Sequence, residues 1–209
     1  MEVKLGIWVG KFETSGSKEQ VKIIGNTNSL RNISVGDIFI SCQGVKTTYS
    51  LTGDSHMMKN TEWGAVAYLA ESKYGRNGSE IEMNTSNYTT GGGNYISNAE
   101  QSTTGNIYGI YDMRGTSFEY VAGVLNSKLS NDSDYNFTGI NSKYYNIYAS
   151  YNESKKIKGD GVYEISEINS DSTRWWYQDW HQGESGFVDS NRPVFARGRL
   201  LQHHRCKYL

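Results

Sequence analysis

Cysteine is scarce in this 209-residue chain, with Cys42 and Cys206 as its two representatives. They lie far apart and form no CxxC spacing, so two buried thiols are expected, and a disulfide would require the two ends of the chain to meet. An excess of either charge is also lacking. A net charge of −1 gives no electrostatic basis for binding nucleic acid or an anionic membrane. No stretch approaches the ~20 apolar residues that span a bilayer. Met1 leads directly into the strand-like VKLGIWVG, so no signal peptide is expected. Catalytic fingerprints are missing as well: there is no Gly-x-Ser-x-Gly elbow, no zincin helix and no dinucleotide-binding loop.

Apolar residues make up 36% of the chain and the mean hydropathy is −0.64, low values for a globular protein. Aromatics at 13%, including 16 tyrosines, offset part of that deficit and predict a folded chain. The length suits one domain over residues 1–209, with long insertions.

The chain is organised around residues 104–123, TGNIYGIYDMRGTSFEYVAG. Ile107, Ile110, Tyr111 and Met113 form one short apolar segment, and Phe118, Tyr120, Val121 and Val124 form another. Strand–turn–strand and strand–turn–helix both fit such short runs. Gly115 supplies the positive φ of a tight turn between them. Glu119, alone among aromatic and β-branched neighbours, is either solvent-facing or buried with a partner.

Residues 60–75, NTEWGAVAYLAESKYG, carry the strongest helix signal. Asn60 or Thr61 can cap it, with Glu62 and Lys73 suiting its two ends. Trp63, Val66, Ala67, Ala70 and Tyr74 recur on one face, and Gly75 is the expected left-handed stop. Residues 5–12, LGIWVGKF, read as a strand burying Trp8 and Phe12. Residues 21–42 read as VKIIG and a second β-rich run, VGDIFIS, joined by a polar loop. The glycine triplet at 91–93 lies in an Asn/Gly/Ser/Thr-rich stretch and reads as a flexible surface loop, since no Gly-Lys-Ser/Thr follows it. Residues 126–172 read as a second polar insertion, with a basic patch at Lys155, Lys156 and Lys158.

The 104–123 stretch resembles the signature G-L-Y-D-M-x-G-N-V-W-E-W of the formylglycine-generating-enzyme-like (sulfatase-modifying-factor) family, a branch of the C-type-lectin-like fold. Gly109, Tyr111, Asp112, Met113, Gly115 and Glu119 match as they stand, whereas Thr116 and Ser117 replace Asn-Val. The 60–75 helix is similar to the family's P-T-E-A-E-W-E-Y-A-A-R, and Gly10-Lys11 with Glu13 to its opening G-x-F-x-x-G-K-x-E-V-T. Phe195-Ala196-Arg197-Gly198 resembles its late R-V-x-R-G-G strand. After RLLQHHRCKYL the family's closing strand is missing, or survives as Arg205-Cys206. The resemblance implies an α+β, C-type-lectin-like single domain with long polar loops, with residues 104–123 in its core.

The family's enzymes bind copper through paired C-terminal cysteines. Cys206 alone cannot supply that pair, so copper is not expected. His181, His203 and His204 are read as packed or surface histidines. In the family the Asn and Glu of the signature contribute to a calcium site. With Thr116 in place of that Asn, Glu119 is a weak calcium candidate, expected to bond turn amides instead. Asp112 and Glu119 are read as structural hydrogen-bonders rather than an acid–base pair.

Two functions follow from the resemblance. One is a non-catalytic ligand-binding or surface-display module of a bacterium or its phage; with no leader expected, the chain is cytosolic, a fragment, or reaches a cell surface or phage particle by another route. The alternative is a formylglycine-generating-type oxidoreductase acting on a thiol substrate. The expected ligand surface is Arg174, Trp175, Trp176, Tyr177, Asp179, Trp180 and His181, beside the loop at 135–152. On a strand, Trp176 and Trp180 would face one way and Trp175, Tyr177, Asp179 and His181 the other. One set fills the core and the other offers a rigid amphipathic surface to a carbohydrate or protein partner.

Overall fold

The computed structural model describes residues 6–126, 137, 139–154, 156–167, 176–179, 183–186, 188 and 194–200. They form a mixed α+β structure. The chain opens with a two-stranded antiparallel hairpin, β1 (Ser15–Gly16) with β2 (Val21–Lys22), and continues into helices α1 (Val35–Thr48) and α2 (Asn60–Glu71). After a long irregular stretch comes β3 (Glu119–Leu125), followed by β4 (Asn146–Tyr148), the single turns α3 (Tyr151–Ser154) and α4 (Val162–Ile165), and β5 (Ser166–Glu167). β6 (Trp176–Asp179), β7 (Gly183–Gly186) and β8 (Val194–Leu200) complete the order. Six strands make one sheet in the order β4-β3-β8-β7-β6-β5; β3 and β4 run parallel and the other neighbours antiparallel.

β3 shows why two helices are needed. Its residues alternate between faces. Val121 and Leu125 pack with Trp63, Val66, Ala67 and Ala70 of α2, whereas Ala122 and Val124 pack with Val35 and Phe39 of α1. β8 repeats the alternation, with Phe195 on the α2 side and Val194 on the α1 side. The central strands are therefore apolar on both faces, each closed by its own helix. Gly64 lets α2 approach the Asp160 backbone, since a Cβ there would sit 2.3 Å from the Asp160 carbonyl carbon.

Several sequence expectations are corrected. VGDIFIS is not a strand; it opens α1, because the Ser34 hydroxyl accepts the Asp37 N–H and caps the helix. Residues 6–13 form no strand, and Trp8 is fully exposed while Phe12 is buried against Tyr95 and Tyr111. α2 stops at Glu71, short of Gly75, and Tyr74 is exposed rather than on the core face. Its N-cap is Lys59, whose N–H donates to the Glu62 carboxylate, and the Thr61 N–H is taken by the Asn146 side chain of β4. Asn60 instead points inward to Tyr148 and Asp160.

The glycine triplet is not an open surface loop. Thr90 and Gly91 are buried, and glycines 91, 92 and 93 all take positive φ in a turn that Phe12 and Tyr95 pack against. Part of the second polar insertion is framework too. Tyr148 of β4 is buried against Phe195, and Asp160 and Val162 are buried beside it. No helix among the described residues is long and apolar enough to cross a membrane.

Candidate functional site

The 104–123 stretch lies in the core in part: residues 111–117 and 121–123 are buried, whereas Tyr108 is exposed and the rest of 104–110, Gly109 apart, is exposed or half-buried. It folds as a turn followed by β3, with Gly115 at φ 100° and its neighbours Asp112 and Thr116 also at positive φ, 69° and 55°. Those dihedrals aim the turn's polar side chains inward. Asp112 accepts from the Asn84 amide at 2.8 Å and from the Gly91 N–H at 2.9 and 3.0 Å. Burial raises its carboxyl above the ordinary range, against the pull of those bonds.

Glu119 has a partner. The Trp63 indole N–H donates to its Oε2 at 2.8 Å, and the Arg197 guanidinium lies 3.8 Å above the Trp63 ring centroid. Arg197 pairs with Glu119 in the β3–β8 register and donates to the Asp160 carbonyl oxygen at 3.3 Å. Asp160 in turn accepts from Asn60, from the Tyr148 hydroxyl and from the Val162 N–H. Trp63, Glu119 and Arg197 come from three separate stretches of the sequence and meet at one contact, where Trp63 and Arg197 are buried and Glu119 is half-buried.

Glu13 completes the cluster. The sequence marks it by its place after Gly10-Lys11, not by any charge. The Thr116 hydroxyl donates to its Oε1, while Oε2 is buried with no hydrogen-bond partner among the described residues. Burial first, and then the Asp112 and Glu119 carboxylates, hold the Glu13 carboxyl well above its ordinary 4.5. A raised folded-state value stabilises the protein fully at pH below 4.5, and that stabilisation is lost as pH climbs through the shifted value. Glu13→Gln keeps an acceptor for Thr116 without the charge. It should flatten the parent's loss of stability as pH rises above 4.5, so that the variant gains on the parent with increasing pH, read by calorimetry across a pH series.

Beside this cluster runs a groove of about 980 Å³, bounded by residues 6–14, one side of α1, the 51–58 segment and the start of β3. Ile23, Ile38, Leu51, Met57 and Val121 supply much of its apolar wall. Its polar lining includes Glu13, Asp54, His56, Glu62 and Glu119. His56 Nε2 lies 3.1 and 3.0 Å from the two Glu62 oxygens. Partial burial opposes ionisation of Glu62, but the bonds from His56 and the Lys59 N–H outweigh it and lower its carboxyl. Lys11 also borders the groove, although its ammonium is committed to the Ile107 carbonyl and lies 5.1 Å from the Tyr95 ring centroid. Cys42 lines the same groove as a free thiol, pushed by burial up to about 12. At that value it is a packed hydrophobe and not a thiolate ligand.

Sequence reasoning misses the groove, because segments far apart in the chain build it. Of the expected ligand surface, residues 176–179 form β6, with Trp176 opposite Gly186 and Asp179 opposite Gly183. Arg174, Trp175, Trp180 and His181 lie outside the described residues, as do His203, His204, Cys206 and Lys155. Among the described residues, no group of three or more His, Cys, Asp or Glu side chains is arranged to hold a metal ion. Comparison with known proteins finds no matching family model and no matching curated protein.

Proposed function

We propose that this chain is a non-catalytic ligand-binding or surface-display module of a bacterium or its phage, built on a C-type-lectin-like, formylglycine-generating-enzyme-like scaffold. One observation carries the reading. Trp63, Glu119 and Arg197, from the three stretches that resemble that family, converge on a single contact at the edge of the core. Its neighbour Asp112 is held by Asn84 and Gly91 in the same way. Carboxylates bound to framework donors hold a fold together and are poorly placed to move protons on a substrate. The groove and the aromatic run 174–181 then serve as surfaces for a protein or carbohydrate partner. A cell surface or phage particle is the setting that suits such a module.

The competing reading, a copper-dependent thiol oxidoreductase, needs two thiolates, and Cys42 is held as a neutral thiol. An oxygen electrode separates the two. Full-length protein supplied with copper and a cysteine-containing peptide is expected to consume oxygen no faster than copper and peptide alone. Sustained turnover that Cys206→Ser abolishes would establish the oxidoreductase and overturn the module.

A further inference from the structure

The turn that closes α2 carries a reactive pair of residues. The Ala70 and Glu71 carbonyls, left without helical partners at the end of α2, accept the Arg76 N–H at 2.6 Å and the Gly78 N–H at 3.1 Å. Asn77 and Gly78 turn the chain back by taking positive φ, 54° and 80°. Asn77, Gly78 and Ser79 are all exposed, and the Asn77 side-chain amide makes no hydrogen bond to another described residue. Asn77-Gly78 is also the one Asn-Gly pair in the chain. Glycine has no Cβ to obstruct attack by its own backbone nitrogen on the side-chain carbonyl before it. Every other asparagine precedes a residue with a side chain. Asn98 and Asn141, which precede small ones, are tied as well, since their side-chain oxygens accept the Glu100 and Lys143 N–H groups.

We propose that Asn77 is a modification site of the folded chain, converted without an enzyme to aspartate and isoaspartate, and that opening of the turn after α2 gates the reaction. The inference is independent of the ligand-binding reading. The Gly78 nitrogen bonds to Asn77 Cγ as the Cγ–Nδ2 bond breaks, and ammonia departs with the Gly78 amide proton. Water then opens the resulting cyclic imide at either of its two carbonyl carbons. Opening at Cγ gives aspartate; opening at the main-chain carbonyl gives isoaspartate, with one extra carbon in the backbone path. In the closed turn Glu71 holds the Gly78 N–H away from this attack, so the reaction waits on local opening. Either product sets a carboxylate at the C-terminal end of α2, where the helix dipole disfavours it and the last turn has no basic residue to offset it. Conversion therefore loosens the end of a helix whose Ala70 belongs to the core.

The test incubates the full-length protein at mildly alkaline pH, digests it with a glutamate-specific protease and follows the peptides by mass spectrometry. The 72–80 peptide holds no other asparagine or glutamine. It is expected to gain one dalton before any other peptide and to separate into two products. Unfolding the chain in guanidinium chloride should speed the change at least tenfold, because the Gly78 N–H is then released. Asn77→Gln, which would have to close a larger ring, should abolish it. Asn77→Asp reproduces one product and should melt about 1–4 °C below the parent. First conversion at a different asparagine would overturn the site, as would an Asn77 that stays intact in the folded chain while the unfolded chain reacts. Equal rates in the folded and unfolded chains would overturn the gate. An Asn77→Asp variant that melts with the parent would overturn the loosening of α2.

Discussion

Trp63→Ala should lower the free energy of unfolding by about 3–5 kcal/mol, the range for truncating a buried aromatic. Trp63 is completely buried, and its ring sits among Val66, Ala70, Met113 and Phe195. The truncation opens a cavity there, removes the indole donor to Glu119 and takes away the aromatic face under Arg197. Trp63→Phe separates these effects. It keeps most of the packing but loses the donor, so a smaller loss of about 1–3 kcal/mol is expected. Urea denaturation of both variants reads the difference. A Trp63→Phe variant as stable as the parent would mean that the indole–carboxylate bond contributes nothing.

Gly115→Ala should be as damaging, for a backbone reason. Gly115 has φ 100°, where an L-residue costs on the order of 1–3 kcal/mol. A Cβ at this position would lie 2.2 Å from the Asn84 carbonyl oxygen, and no real contact is that short. Relief requires separating Gly115 from Asn84. That breaks the Asn84 N–H to Arg114 and Thr116 N–H to Asn84 carbonyl bonds, which hold the turn to the 84–91 segment. The Asn84 amide would then draw away from Asp112. A variant that folds only at low temperature, or collects in the insoluble fraction, is the expected outcome; a melting curve like that of the parent would contradict the close approach of Gly115 to Asn84.

These two positions are readable from sequence for different reasons. Trp63 sits in a helix announced by local signals, a Glu in the first turn and apolar residues at helical spacing, and local signals survive folding. Gly115 is readable because a glycine between two apolar runs implies a turn of the kind its φ supplies. The α1 segment fails on the same kind of signal. β-branched and aromatic residues in VGDIFIS favour a strand by propensity, yet Val35 and Phe39 sit at i and i+4 and bury together against β3. The Ser34 cap tips the balance, and packing overrides propensity. Trp8 misleads because an apolar run implies a partner strand that it does not have among the described residues. Thr90 and Gly91 mislead in the opposite sense. A polar stretch is buried because Asp112, distant in sequence, needs donors. The groove and the Glu13 cluster arise wholly from such long-range contacts, and composition or spacing carries no trace of them. The resemblance, by contrast, marks Asp112 and Glu119 without saying whether they do chemistry or hold the fold.

That question has a direct measurement, the melting temperature of Asp112→Asn. Asparagine accepts the positive φ of residue 112 and keeps the side chain's shape, so the substitution changes only charge and hydrogen bonding. It places an amide where a carboxylate oxygen now receives the Asn84 and Gly91 donors. If the motif is framework, the variant loses about 1–3 kcal/mol of stability and melts several degrees below the parent, while ligand binding by the molecules that remain folded is unchanged. If it melts with the parent and instead loses binding or turnover, Asp112 acts on a ligand and the framework reading of the motif is wrong.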